Sequence, residues 1–517
     1  MRDTIDRVLS DRAAVSAHQP AVIDPTTRIT YADLDFDTRE LAAAFVAAGV
    51  GKGTRVGLIM PNGVAWVRIA LAVSRMGAVL VPLSTLLTSA ELVAQLRVAG
   101  VQALVSVEEF RGHRYLDELR AELAVASLAT IPTQLPALRQ VWTADALPTA
   151  TDPARQIATA LAESVTPSDP LVIMFTSGSS GMPKGVIHSH GNALGAVRSS
   201  LAPRCIDADT RLYIPMPFFW VGGFGGGVLS ALLAGATLVS EPAPRPDTTL
   251  QLLERERVTL FRGWPDQAEA LARHADSASA DLSALRPGSL DALLPVDQRA
   301  APGARAKLFG MTESFGPYCG YAADTDMPPS AWGSCGKPFA GMEVRVVDVD
   351  TGLSVGAGEV GELQLRGPHT LRGVCRRSRE EVFTADGFYP TGDLGHLDTD
   401  GFMFYHGRSD DMFKVSGATV YPSEVEQALR TIDGVEAAYV ANVPGGQADR
   451  VGAVVVCDIG CAPDELRAAA RKTLSSFKVP TVWLLVASED QIPRGSTGKV
   501  DVRRLRDMLT ATEVEGP

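Results

Sequence analysis

Residues 171–185 read LVIMFTSGSSGMPKG, and this stretch limits the fold more than any other. Leu171 to Phe175 are five apolar residues, the length of a short buried strand. They run directly into Thr176, Ser177, Gly178, Ser179, Ser180 and Gly181, and the stretch closes on Pro183, Lys184 and Gly185. Glycines have no Cβ to hold a backbone away from a phosphate, and successive backbone N–H groups can form an anion-binding concavity. The hydroxyls of Thr176, Ser177, Ser179 and Ser180 add donors, and Lys184 adds a fixed positive charge. A flexible Gly/Ser turn has a similar composition, but a linker rarely follows a buried strand and ends in Pro-Lys-Gly. No Gly-Lys-Ser/Thr closes the loop, so it is not of the Walker A type. The stretch reads as a phosphate-binding loop on a strand.

At 517 residues the chain exceeds what one hydrophobic core serves, so two or more domains are expected. A net charge of −12 argues against nucleic acid as a partner. Six cysteines (205, 319, 335, 375, 457, 461) show no CxxC pair and no zinc-like spacing to histidine, and read as reduced thiols of a cytoplasmic protein. The opening MRDTIDRVLSDRAA has no apolar h-region, so no signal peptide is expected. Residues 212–240 carry no charge over 29 residues, enough to span a bilayer. Six glycines and two prolines within them, without flanking Lys/Arg clusters, point instead to a buried loop–helix–strand passage.

Buried strands alternate with amphipathic helices from the start. Strands are expected at 21–23, 29–31, 55–60, 78–81 and 103–107, with helices after Tyr31, at 64–76 and at 89–98. Residues 125–170 are rich in Ala, Pro and Thr and read as surface connection. Helices follow from about Asn192 and at 249–256, while 281–304 is hard to read. Residues 333–405 read as a mostly β subdomain, with strands at 342–347, 361–366 and 401–405. From Asp410 the pattern returns to α+β, with helices at 423–429 and 463–477 and strands at 437–440 and 451–456. The expected fold is α/β: a large N-terminal layered domain, 1–409, with a β subdomain, and a small mobile α+β C-terminal domain, 410–517.

Four further patches follow the loop in order: Phe309-Gly-Met-Thr-Glu313, Tyr389-Pro-Thr-Gly-Asp393, Gly407-Arg-Ser-Asp-Asp411 and Pro493-Arg-Gly-Ser-Thr-Gly-Lys499. With the loop they resemble the adenylate-forming superfamily of acyl-CoA synthetases, adenylation domains and luciferases, over nearly the whole chain. The resemblance implies two half-reactions in a cleft between the domains. A carboxylate attacks the α-phosphate of ATP and releases pyrophosphate, and a thiol then takes the acyl group from the acyl-adenylate.

The resemblance also implies roles. The loop 176–185 with Lys184 would hold the β- and γ-phosphates. Glu313 would be the Mg2+ ligand, a hard oxygen donor for a hard cation, and Thr312 would donate to the α-phosphate. Phe309 stands where the family more often has a tyrosine stacked on adenine and keeps the π face; Gly310 and Met311 complete that nucleotide patch. Asp393 would accept both ribose hydroxyls, its plain alternative being an Asx-turn residue. Arg408 would add a charged contact to ribose or phosphate, against the plain alternative of a surface arginine. Lys499 would bridge the attacking carboxylate and the α-phosphate. Asp410 matches the hinge about which the C-terminal domain rotates between half-reactions, after which Lys414, Ser416 and Gly417 would line a CoA tunnel.

The chain departs from the family at Trp220, in Pro217-Phe-Phe-Trp-Val-Gly-Gly223, where a histidine is usual. Trp220 either reshapes the acyl pocket with Phe219, Gly222 and Gly223, or packs the core. No acidic residue lies in 218–227 to meet a substrate ammonium, which speaks against an amino acid. The leading reading is a synthetase that joins a hydrophobic carboxylic acid to CoA, with ATP and Mg2+. Loading of a carrier protein and a nucleotide-binding homologue that has lost catalysis are the rivals. The oligomeric state stays open between monomer and homodimer.

Overall fold

The computed structural model describes residues 3–128, 133–176, 183–278, 280–409, 413–415, 418–444, 450–457, 462–474, 478–495 and 500–514. Two compact units emerge, one of residues 1–343 with 366–389, the other of 344–365 with 390–517.

The first unit is built on two largely parallel sheets. In the seven-stranded sheet, strands Gln140–Thr143, Ala103–Ser106, Arg55–Ile59, Val79–Pro82 and Pro170–Thr176 lie side by side and parallel. Strands Lys184–Ser189 and Gly373–Val374 complete it antiparallel. The five-stranded sheet runs Leu260–Phe261, Arg211–Tyr213, Thr237–Val239, Pro20–Ile23 and Arg28–Thr30, parallel except for the last pair. Parallel strands need helical crossovers, and the apolar runs foreseen as buried strands are buried, as Val56, Leu58 and Ile59 illustrate. Helix ends follow local chemistry. Thr88 and Glu91 form a capping box at the start of Ser89–Ala99, and Gly100 ends that helix in the left-handed conformation, φ 60°.

Residues 125–170 are more ordered than the expected surface connection. Gln140–Thr143 is an edge strand and Asp152–Ser164 is a helix. That helix buries only Ala154, Ala158 and Ala162, so its apolar face carries small side chains and a weak periodic signal. The N-terminal helix Ile5–Val15, anchored by Ile5 and Leu9, is also absent from the sequence reading. The uncharged stretch 212–240 becomes a strand, a three-residue turn of helix at Val221–Gly223, a π-helix at Phe224–Leu229, a helix at Ser230–Ala234 and a strand. No described helix is long and apolar enough to cross a membrane.

In the second unit a sheet joins Glu343–Val347, Gly361–Arg366, Tyr389–Leu397 and Met403–Arg408, the last two paired antiparallel. Tyr389–Leu397 is a strand where Tyr-Pro-Thr-Gly suggested a turn, because Gly392 takes φ 71° without ending the ladder. Strands Val435–Val443, Arg450–Cys457 and Val482–Val486 form a separate sheet, covered by helices that include Pro422–Leu429 and Pro463–Ala470. The expected helix 463–477 thus stops early among the described residues.

Candidate active site

The flanks of the phosphate loop are set by a hairpin. Strands Pro170–Thr176 and Lys184–Ser189 pair antiparallel, and Thr176 faces Lys184 at the last rung. Ser177, Gly178, Ser179, Ser180 and Gly181 lie outside the described residues. The loop leaves the carboxyl end of the parallel strands, where open α/β sheets take their ligands. Gly185 is tightly enclosed, since a Cβ there would stand 3.0 Å from Cys375 Sγ.

Lys184 Nζ lies 2.5 Å from Glu313 Oε1 and 2.8 Å from Tyr389 OH. Tyr389 OH donates in turn to the same Glu313 oxygen over 3.0 Å. Burial alone would raise the Glu313 carboxyl, but the Lys184 ammonium outweighs it, and the net direction is below the usual carboxylate value. Glu313, 6% exposed, is therefore an ionised oxygen donor next to the loop. Tyr389 has no assigned role in the sequence reading. It opens a recognised patch, but its partners lie 205 and 76 residues away, and only the fold brings them together.

A strut from the hairpin fixes the turn that carries Thr312 and Glu313. Ser189 and Asn192 form a capping box that starts helix His190–Leu201. Asn192 Nδ2 meets His188 Nδ1 at 2.7 Å, and His188 Nε2 meets the Thr312 carbonyl at 2.8 Å. Burial pushes the His188 pKa down to about 4, so the ring is neutral at pH 7 and these partners place its proton on Nε2. Leu371 N–H holds the Glu313 carbonyl at 2.7 Å. Beyond the turn Phe315 sits at φ 52°, in the left-handed region, with its ring edge-on to His188 at 4.8 Å. A Cβ on Gly310 would stand 2.1 Å from the Gly316 carbonyl oxygen, so only glycine fits there. Phe309 and Met311 are half-buried, and the Phe309 ring packs edge-on against Tyr318.

The segment assigned to the acyl pocket belongs to the same unit. Asn62 ties its entry, donating to the Met216 carbonyl (3.0 Å) and accepting from Phe218 N–H (2.7 Å). A Cβ on Gly223 would stand 2.0 Å from the Pro217 carbonyl oxygen. Phe219 is buried, whereas Trp220 is half-buried and lies edge-on to Trp264 at 5.7 Å. Trp264 is itself exposed.

In the second unit Asp393 and Arg408 face each other across adjacent strands. Arg408 Nη1 donates to the Thr391 carbonyl at 2.6 Å and reaches Asp393 Oδ1 at 3.3 Å. Asp393 is 6% exposed. Lys414 lies on the strand Phe413–Val415, with its side chain not described. Asp410, Ser416, Gly417 and Lys499 lie outside the described residues.

Comparison with known proteins bears on this arrangement. A family model described as "AMP-binding enzyme" matches residues 9–375. The chain is 32% identical to a 3-(7a-methyl-1,5-dioxo-octahydro-1H-inden-4-yl)propanoyl:CoA ligase of Mycobacterium tuberculosis, covering 98% of this chain and 97% of the relative. It is 33% identical to a feruloyl-CoA synthase of an Amycolatopsis species, over 95% of this chain and 97% of the relative. Its fold matches the crystal structure of an anthranilate CoA ligase in complex with anthranoyl-AMP, with a TM-score of 0.81, 22% identity, and coverage of 99% of this chain and 98% of that one. The chain belongs to the AMP-binding enzyme family and is an AMP-forming acid–thiol ligase, which makes an acyl-CoA through an acyl-adenylate.

Proposed function

We propose that this ligase activates a carboxylic acid with an apolar, ring-sized body that rests against Phe219, Trp220, Gly222 and Gly223. The ring systems named for the two relatives support such a substrate. The observation that carries the nucleotide end is the Lys184–Glu313–Tyr389 cluster beside the hairpin loop. Lys184, with the loop 176–181, would hold the β- and γ-phosphates, and Glu313 would then hold Mg2+. Among the described residues no three His, Cys, Asp or Glu side chains gather as a metal cage. A single ionised carboxylate fits Mg2+, which takes its remaining ligands from phosphates and water. Mg2+ held there would supply charge neutralisation to the phosphates during pyrophosphate release.

Thr312, its carbonyl pinned by His188, donates its hydroxyl to the α-phosphate, and Phe309 with Gly310 and Met311 lines the adenine. Asp393 accepts the ribose hydroxyls, with Arg408 beside it. Lys499 bridges the attacking carboxylate and the α-phosphate, where charge develops in the transition state. Rotation of residues 410–517 about Asp410 then brings Lys414, Ser416 and Gly417 to the CoA thiol's approach. The test is a pyrophosphate-release screen over fatty, aromatic and polycyclic acids, followed by CoA addition. Acid-dependent release with ring-bearing acids preferred is expected. Preference for short acids such as acetate would refute the pocket assignment.

A further inference from the structure

Three arginines gather around the loop that follows helix His190–Leu201, and among the described residues only one has a counter-charge. Arg286 reaches Asp207 at 3.1 Å. Arg204, 4% exposed, donates to the Gly226 carbonyl at 2.6 Å and to Ser230 Oγ at 2.8 Å, both neutral. Arg262, half-buried, donates to the neutral Gly288 carbonyl at 2.6 Å. Among the described residues neither Arg204 nor Arg262 forms an ion pair; Asp324 acts on the Cys205 thiol but pairs with neither. Burial, and then the charge of Arg262, push Arg204 down to about 9. A buried cation without an opposite charge is costly and is not needed merely to hold a carbonyl and a hydroxyl.

A second observation points to what would offset that cost. In the otherwise buried run 221–229, Gly222 and Gly226 are the two part-exposed residues, and their spacing of four puts them on one face. A Cβ on Gly226 would lie 3.5 Å from Arg204 Nη2, so the guanidinium packs directly against the glycine run, while Met216 covers Gly222, its Sδ 2.4 Å from where a Cβ would stand. The adjoining Gly225 faces the turn that carries Thr312 and Glu313: a Cβ on Gly225 would lie 3.1 Å from the Phe315 ring, and one on Gly316 would lie 3.6 Å from Val221.

We propose that Arg204 and Arg262 form the far wall of the acyl pocket and select acids with a second oxygen acceptor, a carboxylate or a ketone, at the end remote from the reacting carboxyl. This rests on the ligase reading above and narrows its substrate class to acids that are apolar in the middle and oxygenated at both ends. A remote substrate oxygen would give these guanidiniums the charge complement that their neutral acceptors do not, and an acid without it would forgo that contact.

The test uses matched acids of one skeleton ending in a carboxylate, a methyl ketone or an ethyl group. Acid-dependent pyrophosphate release is measured for the wild type, Arg262→Met and Arg262→Gln, with the melting temperature of each. The wild type is expected to favour an oxygenated acid over the ethyl acid by about 100-fold or more in kcat/KM. Arg262→Met should shrink that ratio at least about tenfold, chiefly through KM, and Arg262→Gln, which keeps a donor, should fall between. Carboxylate ahead of ketone identifies an ion pair, and equal rates identify hydrogen bonding. An ethyl acid used as well as the others by the wild type would overturn the proposal. So would variants that depress all three acids in proportion to a lower melting temperature. Release with no acid at all would instead take down the ligase reading.

Discussion

Lys184 and Arg204 are both cations largely removed from water in the same compact unit, yet their surroundings differ. Lys184 has a carboxylate at 2.5 Å and a phenol at 2.8 Å, with Glu313 held in place through its backbone. Arg204 has, among the described residues, only neutral oxygens, and it packs against a glycine run. The proposed phosphate end thus carries its own compensating charge within the fold. In the proposed acyl end the charge would be answered by the substrate. On that reading, chemistry common to every turnover is prebuilt, whereas selectivity rests on a charge that the substrate complements.

The comparison can be broken most decisively at Lys499. Lys499→Ala is expected to lower adenylation by about 1,000-fold, the scale of a lost transition-state contact. Thiolysis of a supplied acyl-adenylate should survive. Equal loss in both half-reactions, measured by pyrophosphate release and by acyl-CoA formation, would remove Lys499 from the first step.

Next comes Glu313→Gln, which strips the phosphate end of its compensation. Adenylation should fall by about 100-fold or more, and a buried pair broken on one side should lower stability by about 3–5 kcal/mol. The folded Glu313 carboxyl titrates below its ordinary value of 4.5. Its contribution is therefore present above the unfolded pKa and is lost as pH falls through the folded one. Melting temperatures taken from pH 7 to pH 3 should show this loss in the wild type and not in Glu313→Gln. Parallel curves would mean that the pair does not stabilise the turn.

A smaller effect is expected at Trp220, which is half-buried against Trp264. Trp220→Ala should shift the acid profile towards bulkier acids and cost the native acid about 1–3 kcal/mol in kcat/KM. Its melting temperature should move far less than the drop that truncating a fully buried tryptophan brings, about 3–5 kcal/mol. An unchanged profile with a large thermal shift would return Trp220 to the core. Smallest is His188. Its pKa is pushed to about 4 by burial, so the unfolded chain binds more protons between that value and the ordinary 6.5. Stability should fall as pH drops through that window, by up to about 1.4 kcal/mol per pH unit from this one ring. In His188→Gln the slope measured by denaturant titration should be shallower, and an equal slope would contradict a buried neutral ring.

The two ends also differ in how far they could be read from the chain. The proposed phosphate end stood out in the sequence because its chemistry demands residue types in close order: a strand, a Gly/Ser loop with Lys184, and Glu313 in a compact patch. What escaped was the support. The strut Asn192–His188–Thr312 and the Tyr389 hydroxyl depend on pairings 76 to 205 residues apart. At the acyl end, Trp220 and the glycines stood out by composition, but Arg204 and Arg262 looked like ordinary arginines. Only their burial and the lack of carboxylates around them among the described residues set them apart. In the fold, large apolar runs were readable, whereas the helix Asp152–Ser164 hid behind an alanine face.

The measurement that bears most directly on this account is acid-dependent exchange of labelled pyrophosphate into ATP without CoA. An acyl-adenylate formed at the Lys184–Glu313 end predicts exchange that needs the acid and Mg2+, needs no thiol, and disappears in Glu313→Gln. Exchange that occurs only when CoA is present, or hydrolysis of ATP to ADP in its place, would contradict it.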